Sequence, residues 1–269
     1  VINSRFKDKK YYALFKKAFK LFDNKQYLEA AAEFIRIIDE NPTFEHNNRA
    51  LYNAAYAYEQ MKHYDSAMQL YRRVLNEYGE TEEAVNALYR IGVNAEMFFD
   101  FDTAIQSFVS LYENKKPLYQ SFKYRVNALR NAARIKILIE DKKGAAQLLE
   151  RYHKDYPGQS DAPQFLYEAG RAYAELGLFS EAQRIFKEFR RKYGSDPSMR
   201  AYVIASYVVE ADYMRDHKKK PKEYSDYYET AKSLYLNAPS SSGSIGRDYA
   251  AKAAYTLAEM DYEVWKSVK

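Results

Sequence analysis

The sequence predicts an all-α chain, an α-solenoid of antiparallel helix pairs. Two ladders of small residues carry that prediction. The first is Ala18, Ala55, Gly92, Ala133 and Gly170, with successive gaps of 37, 37, 41 and 37. The second is Ala30, Ala67, Ala104, Ala145 and Ala182, on the same beat and twelve residues behind the first. Twelve residues is the distance from the middle of one short helix to the start of the next. Composition agrees: 9 Gly and 7 Pro in 269 residues leave few helix breakers among abundant Ala, Lys, Glu, Leu and Arg.

Each element follows from those ladders. Residues 1–10 form an N-terminal extension, and five repeats cover 11–44, 48–81, 85–118, 126–159 and 163–196. Four places after each second-ladder Ala stands a large apolar residue: Phe34, Tyr71, Phe108, Leu149 and Phe186. Three places before it stands Tyr27, Tyr64, Phe101, Lys142 or Phe179, and only Lys142 breaks the series. Pro42, Pro157, Gly79 and Gly194 close units, where a helix must stop. The four extra residues between the third and fourth units fall near Pro117 to Gln120. Residues 197–237 read as a divergent sixth helix pair with Ala231 in the anchor role. Residues 238–246, APSSSGSIG, read as a flexible loop. Residues 247–269 form a last helix, either a cap or half of a repeat in a larger parent.

Small residues are needed on such a beat because antiparallel helices pack at about 8–10 Å only where little side chain stands between their backbones. The repeated letters are therefore the packing interface. The unrepeated ones face water or a partner.

This pattern resembles the tetratricopeptide repeat, whose first helix carries L-x-x-(G/A)-(G/A)-x-x-Y and whose second carries A-x-x-x-F followed by Pro. The fifth unit matches with Leu166, Ala169, Gly170, Tyr173, Ala182 and Phe186; the second with Leu51, Ala54, Ala55, Tyr58, Ala67 and Tyr71. The resemblance covers about residues 11–196. The period exceeds the family's usual 34, as in tetratricopeptide proteins of bacterial cell envelopes, such as outer-membrane-assembly lipoproteins and Tol-Pal-associated proteins. It implies a right-handed superhelix whose first helices line a concave groove for a protein or peptide partner. Repeat positions 2, 5 and 9 would face that groove. After Tyr12, Phe15 and Phe19 these are Arg49, Tyr52 and Tyr56, then Asn86, Tyr89 and Val93. The next units give Asn127, Arg130 and Arg134, then Gln164, Tyr167 and Arg171. Tyr and Arg suit interfaces because they combine contact area with directional hydrogen bonds. The family's carboxylate-clamp pattern is met only by Asn53 and Arg90, so a chaperone-tail receptor is not supported.

Catalytic chemistry is not expected. The sequence has no Cys, which excludes disulfides and thiolate nucleophiles or metal ligands. His46, His63, His153 and His217 lie in different repeats without zinc-helix spacing, and a surface role is expected for all four. No catalytic residue, cofactor or metal is assigned. Formal net charge is +5, with 42 basic and 37 acidic residues interspersed. That permits RNA binding by a helical repeat as the alternative function, but the groove positions form no repeating base code. No apolar run approaches the roughly 18–20 residues of a membrane span. The basic, aromatic stretch RFKDKKYYALFKKAFKLF reads as the first helix of repeat one, leaving peripheral membrane association as the minor reading. The chain begins Val-Ile-Asn, as a processed or excised segment would. A periplasmic or outer-membrane-associated location is expected from the resemblance, with the cytoplasm as the alternative.

Overall fold

The computed structural model describes residues 2–217 and 220–267, and side chains from residue 9 onward. Val1, Lys218, Lys219, Val268 and Lys269 lie outside the described residues. Among the described residues there are fourteen α-helices and no strand. The chain divides into two compact units, residues 1–135 and 136–269, taken in turn.

Unit 1 holds α1 (Ile2–Asp23), α2 (Tyr27–Glu40), α3 (Asn47–Gln60), α4 (Tyr64–Tyr78), α5 (Glu82–Met97), α6 (Phe101–Glu113), the short α7 (Pro117–Gln120) and most of α8 (Arg125–Leu138). From α1 to α6 each helix packs on the next, and α3 also meets α5. Ala18, Ala55, Ala30, Ala67 and Ala104 are fully buried in these crossings. A Cβ added to Gly92 would lie 2.6 Å from the Phe108 ring, so α5 and α6 approach as only glycine allows. The four extra residues between the third and fourth units build α7, which packs on both α5 and α6.

Unit 2 holds the end of α8, then α9 (Lys142–Asp155), α10 (Ala162–Glu175), α11 (Phe179–Tyr193), α12 (Arg200–Asp216), α13 (Pro221–Asn237) and α14 (Gly243–Ser267). Helices α9 to α13 pack in sequence, and α14 lies against both α12 and α13. Their shared core is Ile204, Val208, Ala211, Tyr228, Ala231, Ala250 and Ala253. Gly170 repeats the close approach of Gly92: a Cβ there would stand 2.7 Å from Phe186.

The stretch 238–246 departs from its expected flexible loop. A 3-10 turn spans Pro239–Ser241 and α14 begins at Gly243. Ser242 is fully buried and its hydroxyl donates to the Ala238 carbonyl at 2.9 Å. Gly246 then sits so close to Ile204 that a Cβ would meet its Cδ1 at 3.3 Å. Small residues here serve a tight helix start. The far half of α14 keeps Tyr255, Tyr262, Val264 and Trp265 exposed.

A third ladder governs the turns inside the pairs. Lys25, Lys62, Phe99, Glu140 and Gly177 all have positive φ, between 58° and 72°. Four of these turns close with a bond from the following amide to the carbonyl five residues back: Gln26 to Leu21, His63 to Tyr58, Asp100 to Ala95 and Leu178 to Tyr173, at 2.8–3.0 Å. Such a closure satisfies helix-end carbonyls and requires one left-handed residue. Asp100 and Asp141 add side-chain caps, accepting from Thr103 N at 3.1 Å and Gly144 N at 2.9 Å.

Candidate partner-binding faces

In unit 1 the predicted residues fall on first helices, which alternate with the core-filling second helices. Arg49 and Arg134 are exposed; Tyr52, Tyr56, Asn86, Tyr89, Asn127 and Arg130 are half-buried. Position 5 follows one rule. Each ring lies on the large residue of its own second helix: Phe15 on Phe34 at 5.8 Å, Tyr52 on Tyr71 at 5.4 Å, and Tyr89 on Phe108 at 5.6 Å. One side of each ring is thus core.

Beside Tyr52 lies a polar network absent from the sequence reading. The Glu59 carboxylate on α3 accepts from Arg90 of α5 at 2.8 Å, from Asn94 at 2.7 Å and from the Tyr71 hydroxyl of α4 at 3.0 Å. Burial works against the Arg90 charge, yet Glu59 together with the Tyr52 and Tyr71 hydroxyls outweighs it and holds the guanidinium more firmly protonated than usual. Arg90 also lies 4.9 Å over the Tyr56 ring. Burial raises the Tyr52 hydroxyl pKa, and Arg90 partly opposes it. The network ties three helices together and fixes the two tyrosines. The positions equivalent to Glu59 hold Phe22, Glu96, Ile137 and Ala174, so the carboxylate recurs once and forms no ladder.

The connections between repeats add rings to this face. Phe44 and His46, between α2 and α3, close over Tyr12 and Phe15; His46 stacks on Phe15 at 5.5 Å and 24°. Phe122 and Tyr124, between α7 and α8, close over Tyr89; Tyr124 stacks on it at 5.1 Å and 17°. The visible signal was an aromatic-x-aromatic triplet just before a first helix.

In unit 2, Gln164 and Arg171 are exposed on α10, but Tyr167 is only 3% exposed. This corrects its expected availability to a partner. Tyr167 rests on Phe186 at 5.9 Å and is covered by Tyr202 of α12 at 5.0 Å. Arg171 pairs with Glu168 at 2.8 Å, a carboxyl whose pKa burial raises. His153 is a second correction, because it is 2% exposed and not on the surface. The last turn of α9 turns it inward, where its Nε2 meets the Tyr193 hydroxyl at 2.8 Å. A buried ion pair, Arg190 with Glu210, joins α11 to α12, with Arg190 4.3 Å over Tyr207. Among the described residues no group of three or more His, Asp or Glu could hold a metal ion. No described helix is long and apolar enough to cross a membrane.

This architecture defines a helical-repeat protein, and comparison supplies the family. Tetratricopeptide repeat models match residues 21–91 and 164–195. Both of those segments are tetratricopeptide repeats by sequence. Among solved structures it is similar to the Naa15/Naa10 assembly bound to HypK-THB, at 15% identity and TM-score 0.61, over 96% of this chain and 36% of that one. It is also similar to the C-terminal part of a tetratricopeptide protein from Cytophaga hutchinsonii, at 17% identity and TM-score 0.51, over 94% and 90%. A tetratricopeptide protein from Parabacteroides merdae gives 14% identity and TM-score 0.49, over 92% and 93%. These likenesses are of fold. Comparison with curated proteins gives no match.

Proposed function

We propose that this chain is a non-enzymatic interaction scaffold that holds a peptide or a partner's helix on its first-helix faces, within a bacterial envelope-associated complex. The observation that supports the reading best is the row of Tyr, Asn and Arg side chains on α3, α5 and α8. Its rings are fixed from beneath, and its outer edge carries the exposed Arg49 and Arg134. Rings fixed before binding lose little conformational freedom when a partner arrives. The fold is one suited to protein partners, and the longer repeat period is what favours the envelope.

The test is quantitative capture from separated envelope and cytosolic fractions, comparing the native chain with an Arg49→Ala/Asn86→Ala/Arg130→Ala variant. Capture should fall at least tenfold while helicity stays unchanged by circular dichroism. Undiminished capture sinks the face assignment. Partners found only in the cytosolic fraction sink the envelope assignment.

A further inference from the structure

The inter-repeat connections of unit 1 show what kind of side chain its first-helix faces accept. Counting along the repeat beat, Phe44 and His46 of the first connection correspond to Thr81 and Glu83 in the second and to Phe122 and Tyr124 in the third. In the first and third, the aromatic pair folds back over the preceding first helix. His46 covers Phe15 and Tyr124 covers Tyr89, both as parallel stacks. Each position-5 ring is thus held between a second-helix ring beneath and a connection ring above. In unit 2 the position-5 ring Tyr167 is covered differently, by the tilted ring of Tyr202 from within α12.

Tyr52 has the lower partner, Tyr71, but its connection brings no ring. Thr81 instead caps α5, accepting from Ala84 N at 3.3 Å, and Glu83 accepts from Asn48 at 2.8 Å. Tyr52 stays half-buried beside the exposed Arg49 and the fixed Arg90. We infer that the second repeat is a docking position for an aromatic-x-aromatic segment of a partner, which places over Tyr52 the ring that this chain supplies for itself at Phe15 and Tyr89. The occupant is a peptide with two aromatic residues separated by one, because that is the element seated at the two equivalent positions. Offset stacked rings attract beyond their area burial, and a half-covered ring already positioned by a neighbour favours such contact.

This inference rests on the reading of the first-helix faces as the partner site, but the two can fail separately. The probe is a labelled synthetic peptide of residues 114–126, which carries Phe122-Lys123-Tyr124, titrated onto the full chain by fluorescence anisotropy. Saturable binding is expected. It should weaken at least tenfold when Phe122 and Tyr124 of the peptide are replaced by Ser, and at least tenfold with Tyr52→Ala protein. Because Tyr52 also packs on Tyr71, a second variant grafts the missing pair in cis, Thr81→Phe/Glu83→Tyr. It removes no residue of the face and should block the peptide at least tenfold. No saturable binding, equal binding of the peptide without Phe122 and Tyr124, or full binding by the graft overturns the inference. So does a concentration-dependent dimer lost in both protein variants, since the occupant is then a second copy of this chain. Full binding by the graft alongside loss of capture in the Arg49/Asn86/Arg130 variant would leave the proposed function standing and end this inference alone.

Discussion

A Cβ on Gly92 would lie 2.6 Å from Cε1 of Phe108, and the same relation holds between Gly170 and Phe186 at 2.7 Å. At these two crossings the helix separation is set by a ring resting directly on backbone. Gly92→Ala therefore forces the ring or the helix to move, although alanine is the better helix former. Overpacking of this kind typically destabilises by about 1–3 kcal/mol. Urea denaturation followed by circular dichroism should show Gly92→Ala less stable than the native chain. Trimming the ring in the double variant Gly92→Ala/Phe108→Leu should recover part of the loss. Stability equal to native in the single variant would contradict the packing.

The intra-pair turns invite the opposite substitution. Lys62 and Phe99 hold φ of 61° and 62°, where a Cβ is unfavourable, whereas Gly177 holds 72° without one. Gly177→Ala should destabilise by about 1 kcal/mol. Phe99→Gly should stabilise by up to about 1 kcal/mol, the relief of the left-handed conformation exceeding the extra entropy of glycine in the unfolded chain. Chemical denaturation of the three proteins checks both signs.

Glu59 collects three donors from two neighbouring helices, so replacing it leaves Arg90, Asn94 and the Tyr71 hydroxyl without their acceptor. Glu59→Ala should destabilise by about 2–4 kcal/mol, since unpaired buried partners lose more than the bond itself contributed. Glu59→Gln should fall between that variant and the native chain. A Glu59→Ala melting temperature within error of native would show the network to be unimportant.

His153 makes unit 2 sensitive to acid. Burial holds its imidazole below the usual range; Lys192 acts the same way, while Glu188 and Glu150 oppose. The unfolded imidazole, near a pKa of about 6.5, takes up its proton before the folded one does, so stability declines as pH falls through that value. The native melting temperature should drop more between about pH 7.5 and pH 5.5 than that of His153→Gln, which can still bond Tyr193. Glu210, whose carboxyl burial pushes up, titrates in both proteins and leaves the comparison intact. Parallel curves for the two proteins would refute the assignment.

The packing was legible in the sequence because it repeats. Ala18, Ala55 and Gly170 had to be small wherever helices cross, and physics allows few alternatives there. The turn ladder was invisible because only Gly177 announces a left-handed residue, while Lys25, Lys62, Phe99 and Glu140 are ordinary letters forced into place by the closure around them. At the candidate face the sequence placed Arg49, Tyr52 and Tyr89 on first helices, but not their company. Glu59 recurs only as Glu96 in the next repeat, too sparse a signal to form a ladder, and the burial of Tyr167 depends on Tyr202 in a divergent pair whose register had already loosened. Periodicity reveals what recurs, and a site is made of what does not.

The chain's one tryptophan, Trp265, stands exposed on the outer half of α14, stacked 5.8 Å from Tyr262. Emission excited selectively through the indole therefore reports local events at that helix tip. A cysteine-free chain is also a blank canvas for thiol chemistry: one engineered cysteine beside Tyr52 would carry a dye to the face in question, with no native thiol competing for it.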